Sequence, residues 1–258
     1  FSAYLKEEKQ RRESEKHLPV RKFWEEKVRS LPSPPRLYGY RGEESTSRSQ
    51  RVFLDLGQER SHQLRQLAQE ADVRSWTPHL SLFNIFATSL FAFLYKVGGQ
   101  EQVAFGTPAH NRPTPLWKET AGVFIEIFPM AAELSSGDSL GSLLQRVKAE
   151  SNSFLRYAQT GAASPALSKG FNVILNYIHA AFSDFAGMPM ESDWIHPQHC
   201  DPRHHLRLQV HDMDASGSIQ LHFDLNEAVF NEQQRKVIPQ HFLAILDAFI
   251  NDRSQAIE

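Results

Sequence analysis

An α/β fold, with helices covering a mixed β-sheet, is predicted by three observations on this 258-residue chain. From residue 51 onward, short apolar runs of strand length alternate with amphipathic stretches of helical spacing. Residues 206–225 carry two segments of period-two alternation joined by a turn, the pattern of a hairpin. The segment from Pro78 to Gly98 is apolar almost all round, as expected of a helix buried inside a layered fold.

The elements follow in chain order. Residues 1–31 are dense in Lys, Arg and Glu, and a break at Pro19 suggests two exposed helices with few apolar contacts: Tyr4 and Leu5, then Phe23, Trp24 and Val28. The stretch 32–50 is rich in Pro, Ser, Gly and Arg without periodicity and reads as a connecting loop. It divides the chain into N-terminal helices and loop (1–50) and a main lobe (51–258). Arg51 to Leu56 reads as a strand, and Ser61 to Ala71 as a helix with Leu64, Leu67 and Ala68 on one face.

Thr77 before Pro78 is a helix start, because a Thr oxygen caps free backbone amides and Pro suits the first helical position; Gly98-Gly99 ends that helix. Gln102 to Phe105 is a short strand delivering the chain to a loop at Gly106, and Val123 to Phe128 is a second, largely buried strand. Leu140, Leu143, Leu144, Val147, Phe154 and Leu155 give one buried face to a helix from Asp138 to Ala158. Phe171 to Ile178 returns as a strand. In the hairpin, Leu206, Leu208 and Val210 alternate with Arg207, Gln209 and His211, and Ile219, Leu221, Phe223 and Leu225 with Gln220, His222 and Asp224, around a turn at Asp214-Ala215-Ser216-Gly217. This pattern implies one wet face. Asn231 with Gln234 is a capping box for the last helix, whose core face includes Ile238, Phe242, Ile245 and Phe249. Pro239 within it implies a kink or a later start.

Composition narrows the function classes. A hydrophobic fraction of 41% with 22% charged residues is that of an ordinary globular chain with a real core. A formal net charge of -2 supplies no global field for nucleic acid. The single Cys200 forms no internal disulfide, and no cationic, apolar leader opens the chain, so a cytoplasmic location is expected. The apolar stretch Leu80 to Tyr95 is interrupted by Ser81, Asn84, Thr88 and Ser89 and is too short to cross a bilayer; no membrane association is expected. Walker, dinucleotide-binding, nucleophile-elbow and His-Glu-x-x-His motifs do not occur, and neither does a carrier-protein Ser motif.

Three segments carry the functional signal. Gly106-Thr107-Pro108-Ala109-His110-Asn111-Arg112-Pro113 is followed by Ala121-Gly122-Val123-Phe124-Ile125-Glu126-Ile127-Phe128-Pro129-Met130, and then by Phe171-Asn172-Val173-Ile174-Leu175-Asn176-Tyr177. Together they resemble the C-terminal half of a nonribosomal peptide synthetase condensation domain, of the chloramphenicol-acetyltransferase-like superfamily. Phe1-Ser2-Ala3-Tyr4 and Phe23-Trp24 match that family more loosely.

The resemblance implies a two-lobed fold around a tunnel, of which this chain supplies the C-terminal lobe, with residues 180–205 near the element that crosses to the other lobe. The catalytic His-His-x-x-x-Asp-Gly motif belongs to a missing N-terminal lobe, so no catalytic residue is expected in this chain, which alone should be inactive. Carrier proteins would deliver donor and acceptor on phosphopantetheine, so the cofactor belongs to peptidyl or acyl carrier partners, beside adjacent synthetase domains. Asn176 and Tyr177 match an Asn-Tyr pair that faces the catalytic histidine, where an amide and a phenol act by positioning; the alternative is a strand end satisfying local backbone. Gly122 and Phe124 match a segment close to the tunnel, where glycine permits close backbone approach. Glu126 departs from the family's usual Asn, Ile127 from Thr, and Ala131 lies near a usual Arg. Asn111 and Arg112 suit a lobe-junction or floor loop, with Arg112 either reaching a carboxylate across that junction or making a solvated loop salt bridge.

The one His-His pair, His204-His205, has Gln209 and Val210 where the motif needs Asp and Gly. His196, His199, Cys200, His204 and His205 contain good zinc donors, but their spacing matches no paired-ligand pattern and Pro197 and Pro202 interrupt it; no metal site is expected there. Two other readings stand beside the enzyme lobe. One is a non-catalytic module of this fold that binds carrier or tailoring proteins, motivated by the departures at Glu126 and its neighbours. The other is an unrelated α/β domain whose loops match by chance.

Overall fold

The computed structural model describes residues 1–42, 46–180, 184, 186–188, 190, 194–213 and 217–257. Six strands, β1 (Ser49–Asp55), β2 (Gln102–Ala109), β3 (Glu126–Glu133), β4 (Val173–His179), β5 (Leu206–Asp212) and β6 (Ile219–Asn226), form one mixed sheet in the order β1-β6-β5-β4-β2-β3. The pairs β1·β6, β6·β5 and β2·β3 are antiparallel, whereas β5·β4 and β4·β2 are parallel. The helices are α1 (Ser2–Glu13), α2 (Leu18–Ser30), α3 (Gly57–Leu67), α4 (Pro78–Gly98), α5 (Pro115–Glu119), α6 (Leu140–Tyr157) and α7 (Glu232–Asn251).

The predicted α/β architecture is the observed one, and its core lies on one side of the sheet. Val173, Leu175, Leu208, Val210, Leu221 and Phe223 point from the strands into a cluster with Ile85, Phe86, Leu90 and Phe93 of α4, Leu143 and Val147 of α6, and Phe242 and Phe249 of α7. Each fully buried side chain of this size contributes roughly 1.5–3 kcal/mol over leaving it exposed. The helix α4 has the length and apolarity of a membrane span, yet most of it is enclosed by this core. Thr77 accepts from the Leu80 amide at 3.1 Å and Gly99 takes the left-handed conformation with φ 64°, so both ends lie where Thr77, Pro78 and Gly99 put them.

Several expectations are corrected. The first helix ends at Glu13 with Ser14 as its C-cap, and Pro19 sits in the first turn of α2, where its missing N–H costs nothing. Trp24 of α2 is buried against Phe128 and donates to the Tyr157 carbonyl at 2.7 Å, so this helix is docked. The 32–50 connection is packed in part: Leu37 belongs to the main core. The helix α3 starts at Gly57 and reaches Leu67, with Ala68 as its C-cap. Gly106 lies inside β2, which runs on to Ala109, because β3 pairs along its whole length. The strand β3 starts at Glu126, leaving Val123 and Ile125 exposed. Leu155 turns outward from the α6 core face. The helix α7 starts at Glu232 with both capping-box bonds formed and Pro239 inside, and Leu246 is buried while Ile245 is only half-buried.

The face of the β5–β6 hairpin expected to be wet is mostly buried. Gln209, His211, His222 and Asp224 lie beneath Arg51 of β1 and the segment at Trp194–His196. Of the expected turn, 214–216 lie outside the described residues, as do parts of the 180–205 stretch. A seam divides the sheet between β2 and β4, which pair through Gly106 opposite Ile174. A Cβ at Gly106 would overlap the Phe171 ring and come within 2.8 Å of Ile127 and Ile174, so glycine allows the strands to meet there.

Candidate functional site

The parallel strands β2, β4 and β5 end on the same side, at Ala109, His179 and Asp212. Crevices outside the carboxyl ends of parallel strands are favoured binding places, because chain and helix termini converge there. A cleft of about 220 Å³ opens here, lined by His79, Leu80 and Phe83 of α4, Thr107 and Pro108 of β2, His110, Ser151, Phe154 and Leu155 of α6, and Tyr177 of β4. Two of the three sequence segments therefore meet in one place. The Gly106–Pro113 segment forms one wall and Tyr177 another.

Tyr177 is held by chemistry that the sequence did not announce. Its hydroxyl donates to Asp212 Oδ2 at 2.8 Å, and Arg65 Nη2 of α3 donates to Asp212 Oδ1 at 2.6 Å. The Asp212 side chain is 3% exposed. His179 Nδ1 lies 3.0 Å from the Asp212 carbonyl oxygen, and the His79 ring stacks on that of His179 with centroids 3.7 Å apart. At the cleft floor Ser151 Oγ donates to Asn84 Oδ1 at 2.6 Å, and Asn84 Nδ2 donates to Ser75 Oγ at 2.9 Å. Such buried, mutually satisfied polar groups are rigid. Asp212, Arg65, His79 and His179 were missed because they come from four separate elements.

Asn176 neighbours Gln209 in the parallel register and points to the sheet face opposite Tyr177, since successive strand residues alternate. The pair therefore divides between two faces, and Tyr177 is the member that lines the cleft.

The other predicted residues form a second assembly beside the cleft. Arg112 donates to the carbonyls of Trp117, Lys118, Thr120 and Gly122 and lies over the Phe124 ring at 4.0 Å. Its partners are thus main-chain carbonyls and a ring, in place of a carboxylate or a solvated salt bridge. Asn111 has φ 52°, and its side-chain Nδ2 is buried without a hydrogen-bond partner among the described residues. Phe124 is buried with Tyr4 and Trp117 in a small aromatic core. Gly122 has φ 152°, and a Cβ there would overlap the Phe1 ring. Glu126 accepts from the amides of Gly161 at 2.6 Å and Ala163 at 2.9 Å, fastening the loop after α6 to the start of β3.

The histidine-rich stretch disperses. His196 lies 3.4 Å from Asp224 Oδ1, His199 bonds Ser47, the Cys200 thiol faces the His204 carbonyl, and His205 bonds Asn172. Burial pushes the Cys200 thiol up and the His204 and His205 imidazoles down. Their donor atoms do not converge on one point.

The family model described as Condensation domain matches residues 1–258. Surfactin synthase subunit 1 of Bacillus subtilis (strain 168) is 18% identical over 100% of this chain, which spans 7% of that protein. Phosphinothricin tripeptide synthetase PhsC of Streptomyces viridochromogenes is 28% identical over 49% of the chain, a stretch that spans 11% of it. Among solved structures, the condensation domain from Monacolin K polyketide synthase MokA superposes with a TM-score of 0.81 at 12% identity, over 100% of this chain and 62% of that one. The first condensation domain of the CDA synthetase gives 0.77 at 18% identity, over 97% and 55%.

Proposed function

We propose a function from the premise that this chain belongs to the condensation domain family: it is the C-terminal lobe of a domain that forms amide bonds in nonribosomal peptide synthesis. In that reaction an acceptor amine attacks the thioester carbonyl of a donor acyl group. The new C–N bond replaces the C–S bond, and the amine proton leaves with the released thiol. Donor and acceptor would arrive on phosphopantetheine arms of carrier proteins, beside other synthetase domains, in the cytoplasm.

The observation that carries this reading is the meeting of the Gly106–Pro113 segment and Tyr177 at one cleft. Tyr177, oriented by Asp212, would position the reacting groups. The general base or positioning histidine would come from a His-His-x-x-x-Asp-Gly motif outside these 258 residues. In support, the chain matches 55% and 62% of the two solved domains, and the His204-His205 pair here is followed by Gln209 and Val210 within β5. The chain alone would then be inactive.

A non-catalytic module that binds carrier or tailoring proteins is the second reading, favoured by the departure at Glu126. That residue has a local role as a loop fastener, which weakens the motive. Condensation assays with carrier-bound substrates decide between them. Turnover by this chain alone would refute the half-domain reading. In a protein that carries the motif, Tyr177→Phe lowering product formation supports the enzyme, and no change supports the binding module.

A further inference from the structure

We infer that His79, His179 and Asp212 form a binding site for a zinc-class divalent cation at the rim of the cleft. The three residues reach this point from the first turn of α4 and the ends of β4 and β5, and their donor atoms all lie within 4.8 Å of one another. His79 Nδ1 is 3.9 Å and His179 Nδ1 3.6 Å from the same oxygen, Asp212 Oδ2. Two imidazoles beside one carboxylate oxygen supply the donor types of a three-ligand zinc site.

Coordination requires the stacked His79 and His179 rings, whose centroids are 3.7 Å apart, to turn toward a shared point. With metal–ligand bonds of about 2.0–2.1 Å, donors around a tetrahedral zinc sit roughly 3.3–3.4 Å apart. The two nitrogen–oxygen separations, 3.6 and 3.9 Å, are slightly longer than that, and the imidazole donors lie within 4.8 Å of each other. The imidazoles are 48% and 29% exposed, so both can rotate and a cation can reach them from solvent.

The carboxylate is supported in the manner of a metal ligand. Arg65 holds Asp212 Oδ1 and the Tyr177 hydroxyl holds Oδ2, so its orientation is fixed before any cation arrives. The Arg65 charge opposes the incoming cation and weakens its binding. His179 Nδ1 must give up its contact with the Asp212 carbonyl, and any proton it carries passes to solvent on coordination. A fourth position remains for water or an anionic ligand. Because His79 and Tyr177 also line the cleft, an occupied site would place positive charge at its mouth.

Equilibrium dialysis of the chain, free of any affinity tag, against Zn2+ tests this. The expected result is one saturable equivalent at micromolar Zn2+, weakened at least tenfold by His79→Ala and by His179→Ala and unaffected by His199→Ala. Co2+ in place of Zn2+ should give the visible absorption of a tetrahedral site, lost in the same two variants. Saturable binding that survives His79→Ala/His179→Ala, or no saturable binding by a chain with its folded circular dichroism, would overturn the assignment. Both histidines are exposed enough that their removal should leave the fold intact.

Discussion

The Tyr177 hydroxyl and the Asp212 carboxylate, on adjacent parallel strands, are joined by a 2.8 Å hydrogen bond at the edge of the cleft. The Tyr177 ring packs on the core, while its hydroxyl is steered by a carboxylate that Arg65 holds from the other side. On the proposed function, Asp212→Asn should therefore lower condensation by roughly ten- to hundredfold in a protein that carries the His-His-x-x-x-Asp-Gly motif, through misplacement of Tyr177. Tyr177→Phe should be as damaging, and the double variant no worse than either single. Additive losses in kcat would show that the two residues act separately.

Arg112 binds a fan of four carbonyls from the loop that includes α5. Arg112→Ala should destabilise the chain by about 2–3 kcal/mol, the worth of charged hydrogen bonds together with a cation–π contact. Arg112→Lys should recover less than half of this, because one ammonium does not span the fan. Urea unfolding gives the magnitude, and limited proteolysis between 113 and 125 should speed up. Unchanged cleavage there would show that other contacts hold the loop.

Asp224 is buried on the opposite face of the sheet with Arg51, Arg207, Gln209 and His196 around it. Burial alone would raise its pKa, but hydrogen bonds from Arg51 and the charge of Arg207 outweigh this and hold it below the usual carboxylate range. Its contribution is thus present above the ordinary carboxylate pKa and lost as pH falls through the lowered one. Asp224→Asn should cost about 3–5 kcal/mol, since it leaves two guanidiniums short of their partner. A cost below about 1 kcal/mol in urea titrations would mean that solvent already screens the pair.

His211 sits beneath Trp194 against His222, with Arg51 and Asp224 nearby. Burial, then the neighbouring His222 and Arg51, lower its pKa from 6.5 to about 4. The unfolded chain takes up a proton between those values that the folded chain refuses, so stability falls as pH drops from about 6.5 to 4. His211→Gln should remove that part of the slope, on the order of a few kcal/mol over the interval. Parallel slopes for the two proteins would show that His211 titrates alike when folded and unfolded.

Features encoded within a few residues were legible in the sequence: the Thr77-Pro78 start, the Gly99 stop, the Asn231–Gln234 capping box and the alternation of β5 and β6. Features that depend on distant partners were not. Alternation assigned Gln209, His211 and Asp224 to solvent because nothing in 206–225 reveals that Arg51 and Trp194 cover them. The Gly-Thr-Pro segment has turn composition but runs as strand, since β3 supplies a ladder on one side and Ile174 meets Gly106 on the other. The motif comparison singled out Tyr177, while Asp212, Arg65, His79 and His179 became visible only when the sheet brought four elements together.

The junction at Gly106 and Ile174 has a mechanical consequence. Thr107 and Pro108 on one bank and Tyr177 on the other straddle the joint where the main-chain ladder is thinnest. Along β1·β6 and β2·β3 the strands are stitched residue by residue, with Ser49 opposite Asn226 and Gln102 opposite Glu133. The approach of β2 to β4 therefore depends on how Phe171, Ile127 and Ile174 pack around one absent side chain. A bulkier residue at position 106 would act as a shim, prising the two banks apart while leaving the stitching on either side in place.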